Sequence, residues 1–462
     1  MNGLRDALRT PDARWLLAVL AVAFAVRLFV AVTVTPDPRD GRYDDTVWYD
    51  TTARHLAAGD GYVFDPTVWV TADGRPIYPG EEELTPTALW PPGYPLTLAA
   101  VYAVTDDSVA AARLLNVVFG ALTAALVFLI ARKLFGRTAA IASGMALALM
   151  PSHVLFTSIL LSETYFGFLL ALMLALLVYL VFARDRANLP VIALVGAITA
   201  FTGYVRGEFL VFGAMLALFV ALHFKREALL PLAALAFGAL LVVVPWTIRN
   251  ARTMDEFIVG TTGAGRVMYQ GHNPEADGGP SLEATFILEG MFAGLDRKEI
   301  ELRTNEEGSR LAREWATDHK MRELQLVGLR TFHLMKTDEA GVTWLQSNKP
   351  WFSQENADKL ITASTAWFYA LIALTLASLP FWWRWRDLSR WAVFSIVPFN
   401  LLMFGVLFIG DPRYHYAMYV PLAVFSGVGV EAIVRLTAAQ WREVGGRRAL
   451  PSLRARFGGG LG

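Results

Sequence analysis

The sequence predicts an all-α polytopic membrane protein with about ten transmembrane helices and two large extracytoplasmic loops that carry juxtamembrane helices. Three observations lead there. The chain has 462 residues, 55% of them hydrophobic, and a mean hydropathy of +0.41. Only 18% of its residues are charged, against roughly 25% in ordinary soluble domains. The apolar residues also fall in runs that match the about 20 residues needed to cross a bilayer. A disordered chain, a nucleic-acid-coating protein and most soluble enzymes are excluded. The absence of cysteine rules out a disulfide scaffold, a cysteine–zinc site, an iron–sulfur cluster and a thiol nucleophile.

The predicted spans are 14–34, 108–131, 138–158, 164–183, 189–205, 209–224, 228–247, 361–383, 389–409 and 414–434. The first is too long for a signal peptide and lacks a small-residue cleavage site. The stretch 91–104 opens with Pro91-Pro92-Gly93 and is too short to span; it suits an interfacial or re-entrant helix. Basic residues test this count, because cytoplasmic loops are enriched in Lys and Arg. With the N-terminus inside, the inner loops carry Arg132, Lys133 and Arg137, then Arg184 and Arg186, Lys225 and Arg226, and Arg384, Arg386 and Arg390. The tail adds Arg442, Arg447, Arg448, Arg454 and Arg456. The first outer segment, 35–89, holds eleven acidic and four basic residues. The net charge of zero is thus a sum of basic inner loops and an acidic outer one, with both termini on the cytoplasmic side of a plasma (inner) membrane. The expected organisation is a transmembrane module at 1–247 that includes the outer loop 35–107. An extracytoplasmic loop with helices follows at 248–360, then C-terminal spans at 361–436 and a tail at 437–462. The second loop is expected to hold a helical stretch from Arg297 to about Lys336. Loops of this length usually serve a function.

The most informative segment of the first loop runs Arg42-Tyr43-Asp44-Asp45-Thr46-Val47-Trp48-Tyr49-Asp50. Asp45, Tyr49, Ala53 and Leu56 share one helical face. Gly59-Asp60-Gly61 marks the stop, with a glycine suited to the left-handed position. Carboxylates at a helix start serve as caps and complement the macrodipole, so Asp44 and Asp45 have two readings, cap or catalytic base. Charged residues also gather at the outer ends of spans: Arg113, Glu163 in Ser162-Glu163-Thr164, Arg206 and Glu208, Arg249 and Asn250, and Asp411, Arg413, Tyr414 and His415. A single arginine at a span end can simply snorkel to headgroups. Several on one face form a site for a lipid-linked phosphate. Arg27, inside the first span, must face a partner within the bundle. Trp48, Trp90, Trp246, Trp344 and Trp351 fit an interfacial belt, or a sugar-stacking surface. No histidine pair has metal-ligand spacing, and no Walker loop, dinucleotide fingerprint or GxSxG occurs. Basic residues are not interleaved with aromatics as a nucleic-acid surface requires.

The order of motifs resembles the GT-C glycosyltransferases, in particular the group of protein O-mannosyltransferases and lipid A aminoarabinose transferases (glycosyltransferase family 39-like). The resemblance rests on the acidic pair and Tyr49, Leu-Ala-Ala-Gly-Asp-Gly-Tyr at 56–62, and Trp90-Pro91-Pro92-Gly93-Tyr94-Pro95. It continues through Lys133-Leu134-Phe135-Gly136, Ser162-Glu163-Thr164, Pro245-Trp246-Thr247-Ile248-Arg249-Asn250, Gly271-His272-Asn273-Pro274 and Asp411-Pro412-Arg413-Tyr414. It covers about residues 14–436. It implies a GT-C fold and transfer of a sugar from a polyprenyl phosphate donor to a glycan, lipid or protein acceptor at the outer face. Inversion at the sugar centre is expected, because no second carboxylate is placed as a covalent nucleophile. Asp45, or else Asp44, is the expected base; relatives often carry Asp-Glu where this chain has Asp45-Thr46. Arg206, Arg249, Arg413 and Tyr414 are expected to bind the donor phosphate. Tyr49, Glu163, Glu208, Asn250, His272 and Asn273 are expected to contact substrate. No cofactor is expected, with a divalent cation admitted if Asp44, Asp45 and Glu163 meet. The alternative function is a transporter or flippase of a lipid-linked sugar.

Overall fold

The structure, a computed structural model, describes residues 10–38, 44–71, 75–349, 353–383 and 387–457, with side chains left aside at 348 and 439–457. Arg42, Tyr43, Trp351, Arg384 and Arg386 lie outside the described residues, as do the side chains of the tail arginines.

All ten expected spans are helical. The first is α1 (Pro11–Thr33). The first long loop then builds α2 (Asp45–Ala58), the strand pair β1 (Val63–Phe64) and β2 (Thr85–Pro86), and α3 (Gly93–Thr105). The strands are antiparallel, with Val63 opposite Pro86 and Phe64 opposite Thr85. Spans two to seven follow as α4 (Val109–Leu134), the pair α5 (Arg137–Ala148) and α6 (Pro151–Leu155), α7 (Glu163–Leu176), α8 (Leu189–Val205), α9 (Phe209–Phe224) and α10 (Leu229–Thr253). The second long loop carries α11 (Ala264–Gly271), α12 (Leu282–Gly290), α13 (Arg297–Asp318), α14 (Lys320–Met335) and α15 (Ala340–Asn348). The chain ends with α16 (Gln354–Trp382), α17 (Leu388–Phe394), α18 (Ile396–Leu402) and α19 (Tyr419–Phe457). Among the described residues, eight helical stretches are long and apolar enough to cross a membrane. The pair Arg137–Ala148 and Pro151–Ser158, bent by 59°, makes a ninth. The remaining expected span, α8, has 17 apolar-rich residues. At 13 residues, α3 is about 20 Å long at 1.5 Å per residue, short of the roughly 30 Å hydrocarbon core. It packs on α2, and Gly93 lies so close to the backbone of α8 that a Cβ there would stand 2.7 Å from the Tyr204 carbonyl.

Two expectations are corrected. The stretch 297–336 is not one helix: it breaks at His319 (φ −118°, ψ 45°), between α13 and α14. There the His319 ring stacks on Trp315 at 3.7 Å, and both its backbone N–H and its Nδ1 lie against the Trp315 carbonyl. The seventh span runs on to Thr253 through Pro245, which places Arg249 and Asn250 on the helix itself.

The break in the third span explains Arg27. A helix end inside a bilayer leaves carbonyls without partners, and irregular backbone is tolerated there only where protein satisfies it. Arg27 is fully buried. Its Nη1 donates to the carbonyls of Ala148 (2.9 Å) and Ala23 (3.0 Å), and its Nη2 donates to that of Leu147 (3.2 Å). Nη2 also meets His153 Nδ1 at 2.7 Å. Gly120 on α4 leaves room for this side chain: a Cβ there would stand 2.7 Å from Arg27 Nε. Arg27→Met should therefore destabilise the bundle by several kcal/mol, since each stranded buried acceptor costs about 1–3 kcal/mol. Thermal unfolding in detergent should show a clear drop, with Gly120→Ala lowering the midpoint as well; an unchanged midpoint in both variants would contradict this role.

Candidate active site

The first loop reaches the site through α2. Asp44 is its N-cap, accepting from the backbone N–H of Thr46 (2.8 Å) and Val47 (3.3 Å) and from the Thr46 hydroxyl. Burial pushes the Asp44 carboxyl above its ordinary pKa, against these hydrogen bonds. Gly59 ends the helix with φ +93°, and its N–H bonds the carbonyl of Leu56. Asp45, one residue past the cap, turns away from the helix end. Its Oδ2 accepts from Nη1 of Arg413 at 2.5 Å. Tyr49, one turn on, is buried and donates to Ser162 Oγ (3.3 Å), beside Glu163.

Arg413 begins a chain of ion pairs. Its Nε donates to Glu163 Oε1. The same oxygen accepts from Arg206 Nη1 (2.9 Å), whose Nε in turn bonds Glu208 Oε1 at 2.9 Å. Four separate connections supply these groups: the start of α2, the turn before α7, the α8–α9 turn and the turn after α18. Glu163 is fully buried, whereas Asp45 is 26% exposed. Burying a carboxylate costs several kcal/mol unless it is paired, and here two guanidiniums share it. Burial works against charge on Arg413, but the attraction of Glu163 and then Asp45 outweighs it and holds the guanidinium pKa above its ordinary value. Among the described residues, no hydrogen bond engages Nη2 of Arg206 or of Arg413. The Trp344 ring lies 4.6 Å from the Arg413 guanidinium, and the Tyr414 ring lies 5.3 Å from that of Arg206. Tyr414 stacks on Phe404 with a centroid separation of 4.4 Å.

Other expected site residues bond the loops rather than the ion-pair chain. Arg249 donates from Nη2 to the Tyr62 carbonyl (2.5 Å) and from Nη1 to the Thr87 carbonyl (2.6 Å), gripping the first loop next to β1 and β2. Asn250 accepts from Arg249 (3.1 Å) and donates to the Ile258 carbonyl (3.0 Å). Glu301 completes this grip, accepting from Thr87 Oγ1 (2.6 Å), Ala88 N–H (2.9 Å) and Thr262 Oγ1 (2.5 Å). Asn273 braces the turn after α11, donating to the Tyr269 carbonyl (2.7 Å) and accepting from the Glu275 N–H (2.8 Å). His272 sits between the second loop and the distorted end of the ninth span. Its Nε2 meets the Leu407 carbonyl at 3.2 Å, and its Nδ1 lies 3.0 Å from Glu323 and 3.1 Å from Arg330. His415 is buried against Asp338 (3.1 Å) and the Leu334 carbonyl (2.7 Å).

Sequence reasoning did not single out Glu301, Arg330 or Asp338. Buried Arg330 donates to the carbonyls of Val406 (2.9 Å) and Gly271 (2.7 Å) and to Glu323 (2.8 Å). Asp338 accepts from Tyr419 and from Ser364 Oγ (2.7 Å). Apart from Glu323, their partners lie far along the chain, so no local pattern marks them. Among the described residues, the expected donor set does not converge as a metal site. The Asp44 oxygen that caps α2 is committed, Asp45 and Glu163 both hold Arg413, and among the described residues no three His, Asp or Glu side chains converge as ligands.

Residues 90–248, about a third of the chain, match the family model described as dolichyl-phosphate-mannose-protein mannosyltransferase. No curated protein matches the sequence. The archaeal oligosaccharyltransferase AglB from Archaeoglobus fulgidus, in complex with an inhibitory peptide and a dolichol-phosphate, is similar in fold: TM-score 0.52 at 14% identity, over 97% of this chain and 52% of that one. The Archaeoglobus fulgidus enzyme in complex with Zn and sulfate gives 0.52 at 14%, over 96% and 51%. ArnT from Cupriavidus metallidurans bound to undecaprenyl phosphate gives 0.38 at 15%, over 90% and 78%. The chain thus spans about half the length of the oligosaccharyltransferase chains it matches.

Burial, and next the charge of Arg330, push His272 below its ordinary pKa. The unfolded loop therefore binds more protons, and stability rises with pH through this window. The contribution is complete above the unfolded value of about 6.5 and is lost as pH falls through the lower folded value. Hydrogen exchange in α11 and its flanking turns should accelerate as pH, corrected for intrinsic rates, drops below that range. His272→Gln should flatten the dependence; an equally steep dependence in the variant would contradict the assignment.

Proposed function

We propose that this member of the GT-C superfamily of membrane glycosyltransferases moves a sugar from a polyprenyl phosphate-linked donor to an acceptor hydroxyl, at the membrane face that carries the two long loops. The observation that supports this best is the convergence of Asp45, Arg413, Glu163, Arg206 and Glu208 from four connections. The dolichol-phosphate bound by the archaeal fold relative fits the same donor class.

Each part has a chemical role. The donor phosphate takes Nη2 of Arg206 and Arg413, the donors left open by the ion-pair chain. Glu163 fixes both guanidiniums in advance, so little reorganisation is needed as charge builds on the leaving phosphate. Tyr414 supports Arg206 from its ring face. Asp45, the more exposed carboxylate, moves from Arg413 to the acceptor once phosphate engages the arginine. It accepts the hydroxyl proton while the acceptor oxygen bonds the anomeric carbon. The bond from that carbon to the phosphate oxygen breaks, with its electron pair leaving on the polyprenyl phosphate. One displacement through an oxocarbenium-like state inverts the centre. Tyr49 positions α2 on the turn that bears Glu163. Arg249, Asn250, His272 and Asn273 hold the loops around the site. In this reading 1–247, 248–360 and 361–436 act together, in a plasma (inner) membrane with both termini cytoplasmic and the site extracytoplasmic. The sugar is a hexose or pentose, and the acceptor is a glycan, a lipid or a protein.

Purified protein in nanodiscs, supplied with polyprenyl phosphate sugars, should release polyprenyl phosphate as it transfers sugar. Asp45→Asn should lower the rate by about 10²–10⁴, the usual worth of a general base. Asp44→Asn should change it little, because Asn caps a helix about as well as Asp. Product with an inverted anomeric coupling constant is expected by NMR. Full transfer by the Asp45→Asn protein would refute the mechanism.

A further inference from the structure

We infer that Arg413 occupies the place a divalent cation would take between two carboxylates, so that sugar transfer by this chain needs no metal; this rests on the function proposed above. Asp45 and Glu163 come from the starts of two different helices, and one guanidinium joins them: Nη1 to Asp45 at 2.5 Å and Nε to Glu163. Facing carboxylates repel unless positive charge lies between them. A metal supplies that charge where ligands leave room for it. Here a guanidinium lies between them.

Arg413 is also fixed in place. Its backbone N–H donates to Asp411 Oδ1 (2.7 Å), and the N–H of Gly410 donates to the Gly278 carbonyl (2.8 Å). Gly410 lies so tight on the second loop that a Cβ would stand 1.9 Å from the Arg330 carbonyl. Trp344 lies over the guanidinium. The neighbouring carboxylates have other partners, each through one oxygen: Asp44 Oδ1 caps α2 and Glu208 Oε1 pairs with Arg206, while Glu163 Oε2 is buried without a hydrogen-bond partner. A divalent ion would have to displace a guanidinium that is only 9% exposed and doubly paired. The charge a metal would lend to the departing phosphate comes instead from Nη2 of Arg413 and Arg206. A guanidinium is permanently charged at physiological pH, so this charge neither dissociates nor exchanges with solution.

The test uses the full chain in nanodiscs with two readouts, sugar transfer and Mn²⁺ binding by electron paramagnetic resonance. Wild-type transfer should be unchanged by EDTA and by added Mn²⁺, and the wild-type protein should hold no Mn²⁺. Arg413→Ala should lose about 10²–10³ of its rate, the scale set by removing one pre-organised donor. It should also bind Mn²⁺ between the freed carboxylates and recover part of its rate with that ion. Adding Asp45→Asn to it should abolish the Mn²⁺ signal, and Arg413→Lys should not bind the ion. Loss of wild-type transfer in EDTA with recovery in Mn²⁺, Mn²⁺ bound to wild type, or no Mn²⁺ bound to folded Arg413→Ala would each overturn the inference. Arg413→Gln replaces the alanine variant if that does not fold. If no donor supports transfer, the proposed function fails, while the Mn²⁺ signals still decide whether Arg413 stands in a cation's place.

Discussion

The site is organised by one buried carboxylate. Glu163 opens a membrane helix with no solvent exposure, a position where a lone charge is several kcal/mol uphill. Two guanidiniums balance its charge through a single oxygen, Oε1, while Oε2 stays buried without a hydrogen-bond partner; that requirement pulls two connections together, Arg206 from the α8–α9 turn and Arg413 from the turn before α19. Each arginine then brings its own second partner, Glu208 and Asp45. Because Asp45 begins α2, the first loop is located by the same chain of charges. Removing Glu163 would therefore do more than delete one contact, since two buried guanidiniums would lose the charge that balances them.

Arginine solves a second problem elsewhere in the fold. Inside the bundle, Arg27 supplies hydrogen bonds to carbonyls that the broken third span exposes. Beneath the second loop, Arg330 does the same for Val406 and Gly271. At the end of α10, Arg249 binds backbone of the first loop. In each case a planar group with several fixed donors meets acceptors that no helix can satisfy. Such arginines hold the scaffold, and they differ from Arg206 and Arg413 in that they bond backbone carbonyls, although Arg330 also pairs with Glu323.

This distinction marks the limit of what was legible in the sequence. Hydropathy located a helix at each of the ten expected spans; eight of them, or nine with the bent pair, are long and apolar enough to cross a membrane, because a bilayer imposes a length on a span. Helix chemistry located α2, its cap at Asp44 and its stop at Gly59. The first-loop motif pointed to Asp45 and span-end charges to Glu163, Arg206, Glu208 and Arg413, which do meet. The same rule also pointed to Arg249 and Asn250, which grip a loop, because a span-end position says nothing of which partner a side chain finds. His272 and Asn273 stood out by motif and are structural braces. Glu301, Asp338 and Arg330 carried no local signal, since apart from Glu323 beside Arg330 their partners lie on other elements. The break at His319 was hidden because the apolar period continues across it; a ring stack and a local backbone turn set it.

The proposed function makes the ion-pair chain the seat of the donor phosphate. A cryo-electron microscopy structure of the full chain with polyprenyl phosphate in a nanodisc measures this directly. Phosphate density is expected within hydrogen-bonding distance of Nη2 of both Arg206 and Arg413, with Asp45 released from Arg413 and facing the space where the sugar would lie. Phosphate held elsewhere, with the Asp45–Arg413–Glu163 chain undisturbed, would contradict it.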